Sequence, residues 1–282
     1  MKETIETGGM KVNSGKLAAL PFQQQIENSE QWPLLAEDYM NRSGLPGPRA
    51  NLSLAGEFSR YYARTGLSAQ SLSLLTSWTD ISAAEAEAND PEEFLPFCAL
   101  LAYGAYYGYA EQGERSGIEV RLRRAMNDSR WRVREAAAMA LQQIGEFGFG
   151  LLHRLLEGWR MEATVLELRA FIAALAHPPL LKEQACADYS LELSEQILNE
   201  LLSGKYRQAD PEHLRVLSKG MEYALSLFVA SQPDAGFALL RRLAGSGDKL
   251  MIRIVKSNLG KKRLSQKYPE EVTELLAGLT II

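Results

Sequence analysis

The stretch Asp128-Ser129-Arg130-Trp131-Arg132-Val133-Arg134-Glu135-Ala136-Ala137-Ala138-Met139-Ala140-Leu141-Gln142-Gln143-Ile144-Gly145 decides the fold of this chain. Val133, Ala137, Leu141 and Ile144 recur at the spacing that places side chains on one stripe of an α-helix, with the small Ala136 and Ala140 beside them. Asp128 or Ser129 offers a cap before the first turn, and Gly145 with Gly148 breaks the chain after the last. Leu152, Leu155, Leu156 and Trp159 then resume the helical spacing, so the segment predicts two helices folded into a hairpin.

Downstream the same pattern continues. Leu168, Phe171, Ile172 and Leu175 mark one helix, stopped at Pro178-Pro179, and Leu191, Ile197, Leu201 and Leu202 mark a longer one. Asp210-Pro211 opens a helix carrying Leu214, Leu217, Met221, Leu225 and Phe228, which Pro233 closes; Phe237, Leu240 and Leu243 belong to its partner. A last pair starts after Gly247-Asp248 with Ile252, Val255 and Leu259, and Pro269 opens its final helix over 270–279. First helices thus begin near positions 130, 164, 211 and 249. Those steps, of about 34, 47 and 38 residues, straddle the periods of two-helix repeats.

Upstream, the helical pattern starts at Leu52, and no alternating β-branched runs announce strands. Phe94 to Ala110 is uncharged but contains Pro96, Gly104, Gly108 and four tyrosines. It falls short of the roughly 20 residues that span a bilayer, and reads as a buried central helix. Gly104 and Gly108, four apart, permit a neighbouring helix to approach closely. Pro21, Pro33, Pro46 and Pro48, with Gly44 and Gly47, predict an irregular N-terminal arm over 1–51 that caps the first repeat, with at most short helices around Ser29 to Met40. Residues 52–282 form one helical domain.

The segment 128–145 resembles a HEAT repeat, whose motif has an Asp in the turn, Val-Arg at the helix start, an Ala-rich face and a terminal Gly. Asp248 to Leu259, with Ile252-Arg253 in place of Val133-Arg134, resembles a degenerate copy. The resemblance covers residues 110–280 and implies an all-α fold, a right-handed α-α superhelix of the HEAT type. Physics agrees: a two-helix unit cannot bury both apolar faces alone, so units stack into one core. By the same resemblance the turn Asp and the early Arg form a ladder along the stack, which makes Asp128, Val133, Arg134, Asp248 and Arg253 structural.

Composition narrows the function. The 282 residues carry 31 basic and 35 acidic side chains, a net charge of −4 that argues against a non-specific polyanion binder. Residues 1–110 hold seven basic and thirteen acidic residues, so the basic excess lies later, in Arg115, Arg121, Arg123, Arg124, Arg130, Arg132 and Arg134 and again in Lys249, Arg253, Lys256, Lys261, Lys262, Arg263 and Lys267. Two cysteines exclude a disulfide framework or a four-cysteine zinc site, and three histidines leave little for a metal centre, so neither metal nor cofactor is expected. Cys98 and Cys186 lie among apolar or small neighbours and read as inert buried thiols. His153, His177 and His213 are far apart, and the glycines from Gly145 to Gly150 join two helices. P-loop, dinucleotide-binding, His-Glu-x-x-His and Gly-x-Ser-x-Gly motifs are all missing. With no apolar run behind a basic start, the expected compartment is the cytoplasm, with no membrane partner.

Two functions compete. The first is a non-enzymatic scaffold that presents a curved surface to a protein or peptide partner, with Trp131, Arg132, Trp159, Arg263 and Lys256 as surface anchors, because Trp and Arg dominate interface energetics. The second follows from similarity to the HEAT-like bacterial DNA alkylation-repair glycosylases, which hold duplex DNA in a basic groove and excise a damaged base with an Asp near Trp residues. Ser77-Trp78-Thr79-Asp80 is faintly similar to such a site, making Asp80 and Trp78 the catalytic candidates. A third class is recognition of a small ligand without chemistry: if the fold gathers several of Trp78, Trp131, Trp159, Tyr103, Tyr106, Tyr107 and Tyr109 on the concave face, they line a pocket that stacks a planar ligand or an extruded base.

Overall fold

In the computed structural model, which describes residues 21–279, each apolar stripe becomes one buried helix face. The α-helices are α1 (Phe22–Glu27), α2 (Trp32–Arg42), α3 (Leu52–Tyr62), α4 (Ala69–Thr79), α5 (Phe94–Tyr107), α6 (Gln112–Met126), α7 (Trp131–Phe147) and α8 (Phe149–Arg160). They continue with α9 (Val165–Leu175), α10 (Gln184–Ser203), α11 (Pro211–Ser231), α12 (Pro233–Ala244), α13 (Lys249–Leu259), α14 (Lys262–Ser265) and α15 (Pro269–Gly278). No strand occurs among the described residues, and no helix among them is long and apolar enough to cross a membrane.

Helices α7, α9, α11 and α13 begin within a residue of the starts read from the sequence. Their boundaries have local causes. Thr164 caps α9 and forms a reciprocal box with Glu167. Asp210 accepts from the Glu212 N–H ahead of Pro211, and Asp248 accepts from the N–H groups of Leu250 and Met251. Gly204, at φ +77°, closes α10 in the left-handed conformation that glycine adopts without steric cost. At α7 neither Asp128 nor Ser129 caps the helix; the Asp128 carboxylate instead accepts the Arg130 N–H at 2.8 Å.

Packing follows a skip-one order. α3, α5, α7, α9, α11 and α13 each pack on the next member of the row. The intervening helices lie against it: α4 on α5, α6 and α8 on α7, and α10 and α12 on α11. Near the middle, α5 is buried along its whole length except Ala105, as its uncharged sequence requires. A Cβ at Gly104 would stand 2.5 Å from the Ala140 Cα, so the α5–α7 contact is backbone against backbone and depends on glycine.

Within the N-terminal stretch expected to be irregular, α1 and α2 pack on α4 and α5 and send Ile26, Leu35 and Tyr39 into the common core. Pro33 sits in the first turn of α2, where a missing N–H costs nothing, so it starts the helix rather than breaking it. Residues 1–20 of that arm lie outside the described residues. Rings dominate this end: Phe58 stacks on Trp78 at 4.9 Å between centroids and meets Tyr39 edge-on at 5.4 Å.

Further along the row, polar side chains join neighbours. Arg169 of α9 reaches Glu135 of α7 at 2.7 Å, and Arg253 of α13 reaches Glu222 of α11 at 2.9 Å. The buried Asn258 of α13 accepts from the Ser226 N–H and donates to the Met221 carbonyl, both on α11. These rungs join Arg to Glu rather than to the turn Asp. Arg134 donates to the carbonyls of Asp128 and Ser129 in its own turn, and Asp248 serves its own helix. Val133 is buried in the core.

Candidate functional site

On α11 the core stripe is Leu217, Met221, Leu225 and Phe228. Helical spacing therefore aligns Arg215, Lys219 and Tyr223 on a line turned away from it, and all three are exposed. α9 faces that line with Arg169, Ala173 and Ala176, and α7 adds Glu135 and Gln142. Together they enclose a groove of about 450 Å³ spanning three consecutive members of the row. Small residues, Ala173, Ala176, Gly220 and Ala224, line it together with the charged groups.

Carboxylates hold the cations of the groove in place. Glu135 fixes Arg169, Glu212 accepts the Arg215 Nε at 2.6 Å, and Glu222, almost buried, accepts both Lys219 at 2.7 Å and Arg253. At one end the Arg263 guanidinium lies 4.9 Å from the centroid of the Tyr223 ring, with the Lys261 ammonium 5.8 Å away. Burial and the nearby Arg169 charge push the Arg134 guanidinium below its ordinary pKa.

The expected anchors do not meet there as a set. Trp131 and Lys256 are at the surface. Arg263 is half-buried, and one of its terminal nitrogens is buried without an acceptor. Arg132 and Trp159, expected at the surface, are instead internal, at 4% and 8% exposure. Arg132 pairs with the fully buried Glu93 at 3.4 Å and donates to the Gly47 carbonyl, and Trp159 stacks on Phe171 at 6.2 Å. The cause is crowding. α7 touches α5, α6, α8 and α9, so residues beside its main stripe are covered too, and Trp159 extends the stripe of Leu152, Leu155 and Leu156.

Trp78 and Asp80 part company. Trp78 belongs to the aromatic core with Phe58 and Tyr39. Asp80, at the end of α4, is exposed and accepts from Arg124 at 2.7 Å. It opens on a cleft of about 360 Å³ that no tryptophan lines. Deeper in that cleft the buried Arg130 donates to both Asp128 carboxylate oxygens and to the carbonyls of Ile81, Ser82 and Ala86. Burial alone would raise the Asp128 pKa, but the Arg130 hydrogen bonds and charge outweigh it and hold the carboxyl below the usual value. The aromatic residues are likewise dispersed: Tyr103 and Tyr106 line one recess, Tyr107 and Trp159 another, and Tyr109 stands exposed against Phe147.

Most of the first basic cluster is spent on bonds within the protein, while Arg124 stays exposed beside Asp80. Arg115 donates to the Tyr107 and Gly108 carbonyls, Arg121 contacts Thr76, and Arg123 makes a two-pronged bond to the buried Glu167. The second lies on α13 and α14, where Arg253, Lys261 and Arg263 reach back to α11. Both thiols are buried; burial drives Cys98 well up and Cys186 to about 11, so neither is a ready nucleophile at neutral pH. His177 meets Glu146 at 2.7 Å and His153 meets Tyr189 edge-on. Among the described residues no three His, Cys, Asp or Glu side chains gather as metal ligands.

Sequence inspection missed Arg169, on α9, and Arg215, Lys219 and Tyr223, on α11. The available signal was the i, i+4, i+8 line of Arg215, Lys219 and Tyr223, all off the apolar stripe of α11. No protein-family model, no curated protein and no solved structure matches this chain.

Proposed function

We propose that the chain is a HEAT-type two-helix repeat solenoid, wound as a right-handed superhelix, which acts as a non-enzymatic scaffold and seats a partner protein across α7, α9 and α11. The skip-one row supports the architecture, since stacked helix pairs bring first helices together in this order. What carries the function is the groove: three successive row helices contribute side chains to one open surface of mixed charge with a half-exposed tyrosine. Its charged groups are engaged pairwise in ion pairs instead of converging on one point where a bond would be made or broken. Base excision has less behind it. Asp80 is held by Arg124, and the indoles that reaction would need stand elsewhere.

Photo-crosslinking in the cells that make the protein tests this. A benzophenone amino acid at Tyr223 or Val216 is expected to give discrete adducts with another protein, while the same group at Val120 or Met161, exposed on α6 and just after α8, gives none. Adducts absent from the groove, or equally abundant at the control positions, would overturn the scaffold.

A further inference from the structure

Granted the scaffold, we infer that the segment seated in the groove is an acidic peptide of the partner, whose carboxylates meet Arg169, Arg215 and Lys219 and whose apolar side chains enter between Ala173 and Gly220. Three cations line the groove against one carboxylate, Glu135. Glu222 does not offset them across the opening, because its carboxylate is nearly buried between α11 and α13, where it receives Lys219 and Arg253. Lys261 and Arg263 add positive charge at the Tyr223 end; one terminal nitrogen of Arg263 is buried without an acceptor among the described residues, and its guanidinium lies over the tyrosine ring.

The cations also have donors to spare. A guanidinium offers five N–H groups, and Arg169 spends one on Glu135 while Arg215 spends two on Glu212. An incoming carboxylate can take a free edge without breaking the existing pair. Because Glu135, Glu212 and Glu222 already orient these side chains, little rotamer freedom remains to be lost on binding. The small groove lining leaves room for aliphatic groups beside the charges, in a volume within the usual range of about 300–1,000 Å³ for ligand clefts.

A nucleic acid fits less well. Phosphates repeat without interruption and need an unbroken series of cations, whereas Glu135 and the exposed Glu212 interrupt this one, on a chain of net charge −4. Discrete carboxylates interspersed with apolar residues suit a lining in which cations alternate with small residues. Acidic peptide is therefore the chemistry that complements it.

The probe is a phage library of random dodecapeptides, selected on the full chain and on two variants with equal charge change. One variant is Arg215→Glu with Lys219→Glu, at positions 59% and 57% exposed and tolerant of polar replacement. The other, Arg241→Glu with Arg242→Glu on α12, is the remote control. Melting curves confirm that each variant folds. Peptides selected on the unaltered chain are expected to be enriched in Asp and Glu, and a fluorescent copy of the best is expected to bind about tenfold more weakly to the groove variant and within about twofold on the control. No acidic enrichment, or equal weakening by both variants, would falsify the inference. Duplex DNA binding that the groove variant abolishes, with no acidic peptide selected, overturns it in favour of nucleic acid. Crosslinks at Tyr223 without acidic enrichment would leave the scaffold standing and remove only the acidic partner; absence of both would remove both.

Discussion

The region from α2 to α5 and the region from α9 to α13 belong to one row of helices, yet they are built differently. In the first, Phe58, Trp78, Tyr39 and Phe94 fill the interior with rings, and α5 is covered on every side. In the second, mainly aliphatic stripes with single rings such as Phe171 and Phe228 do the packing, Arg–Glu and Asn bonds tie neighbours together, and an open groove remains. Rings bury more area per residue and leave little surface unfilled. Polar rungs hold helices in register while leaving charged edges available. On the proposed function this is a division of labour, with ring packing toward the N-terminal end and the groove toward the other.

The largest test of that division is Phe58→Ala. A fully buried ring touching Tyr39, Tyr62 and Trp78 should cost about 3–5 kcal/mol in denaturant unfolding. A loss below about 1 kcal/mol would break the comparison, since the rings would not be the store of stability.

Asp128→Asn, at the join between the regions, should cost about 1–2 kcal/mol at neutral pH by weakening the charged hydrogen bonds to Arg130. Because the native carboxyl lies below its ordinary value, its contribution is complete above the unfolded Asp pKa of about 3.9 and vanishes as pH falls through the depressed native value. The gap between wild type and variant, followed by unfolding at a series of pH values, should therefore close in acid. A gap that stayed constant down to strong acid would remove the ion pair as its cause.

Arg253→Met is the smallest. With its side chain 55% exposed, the rung to Glu222 should be worth less than about 1 kcal/mol, and less still in high salt. A larger, salt-independent loss would mean that the rungs carry stability as well as register.

The repeating starts of α7, α9, α11 and α13 were legible because proline, glycine and capping residues act locally, whatever the helix later packs against. For α2 the sequence predicts a short helix around Ser29 to Met40, but the surrounding prolines hide that Leu35 and Tyr39, four apart, carry it into the common core. Burial of Arg132 and Trp159 was not legible, because residue type says what a side chain prefers and not how many helices surround it. The groove was hardest of all. Its cations are separated by 46 residues between Arg169 and Arg215, and only the packing of α9 on α11 makes them neighbours.

Arg130 has one more consequence. Its guanidinium grips the carbonyls of Ile81, Ser82 and Ala86 from the far side of α5 and α6, while Asn89 of the same loop accepts the Gly47 N–H. Covalent continuity through residues 83–85, of which Ala84 and Glu85 are exposed, is thus redundant with the bonds on either side. A protease cut there should yield two fragments that elute together as one particle and separate only in denaturant, and the same three residues are the place to open new termini in a circular permutant.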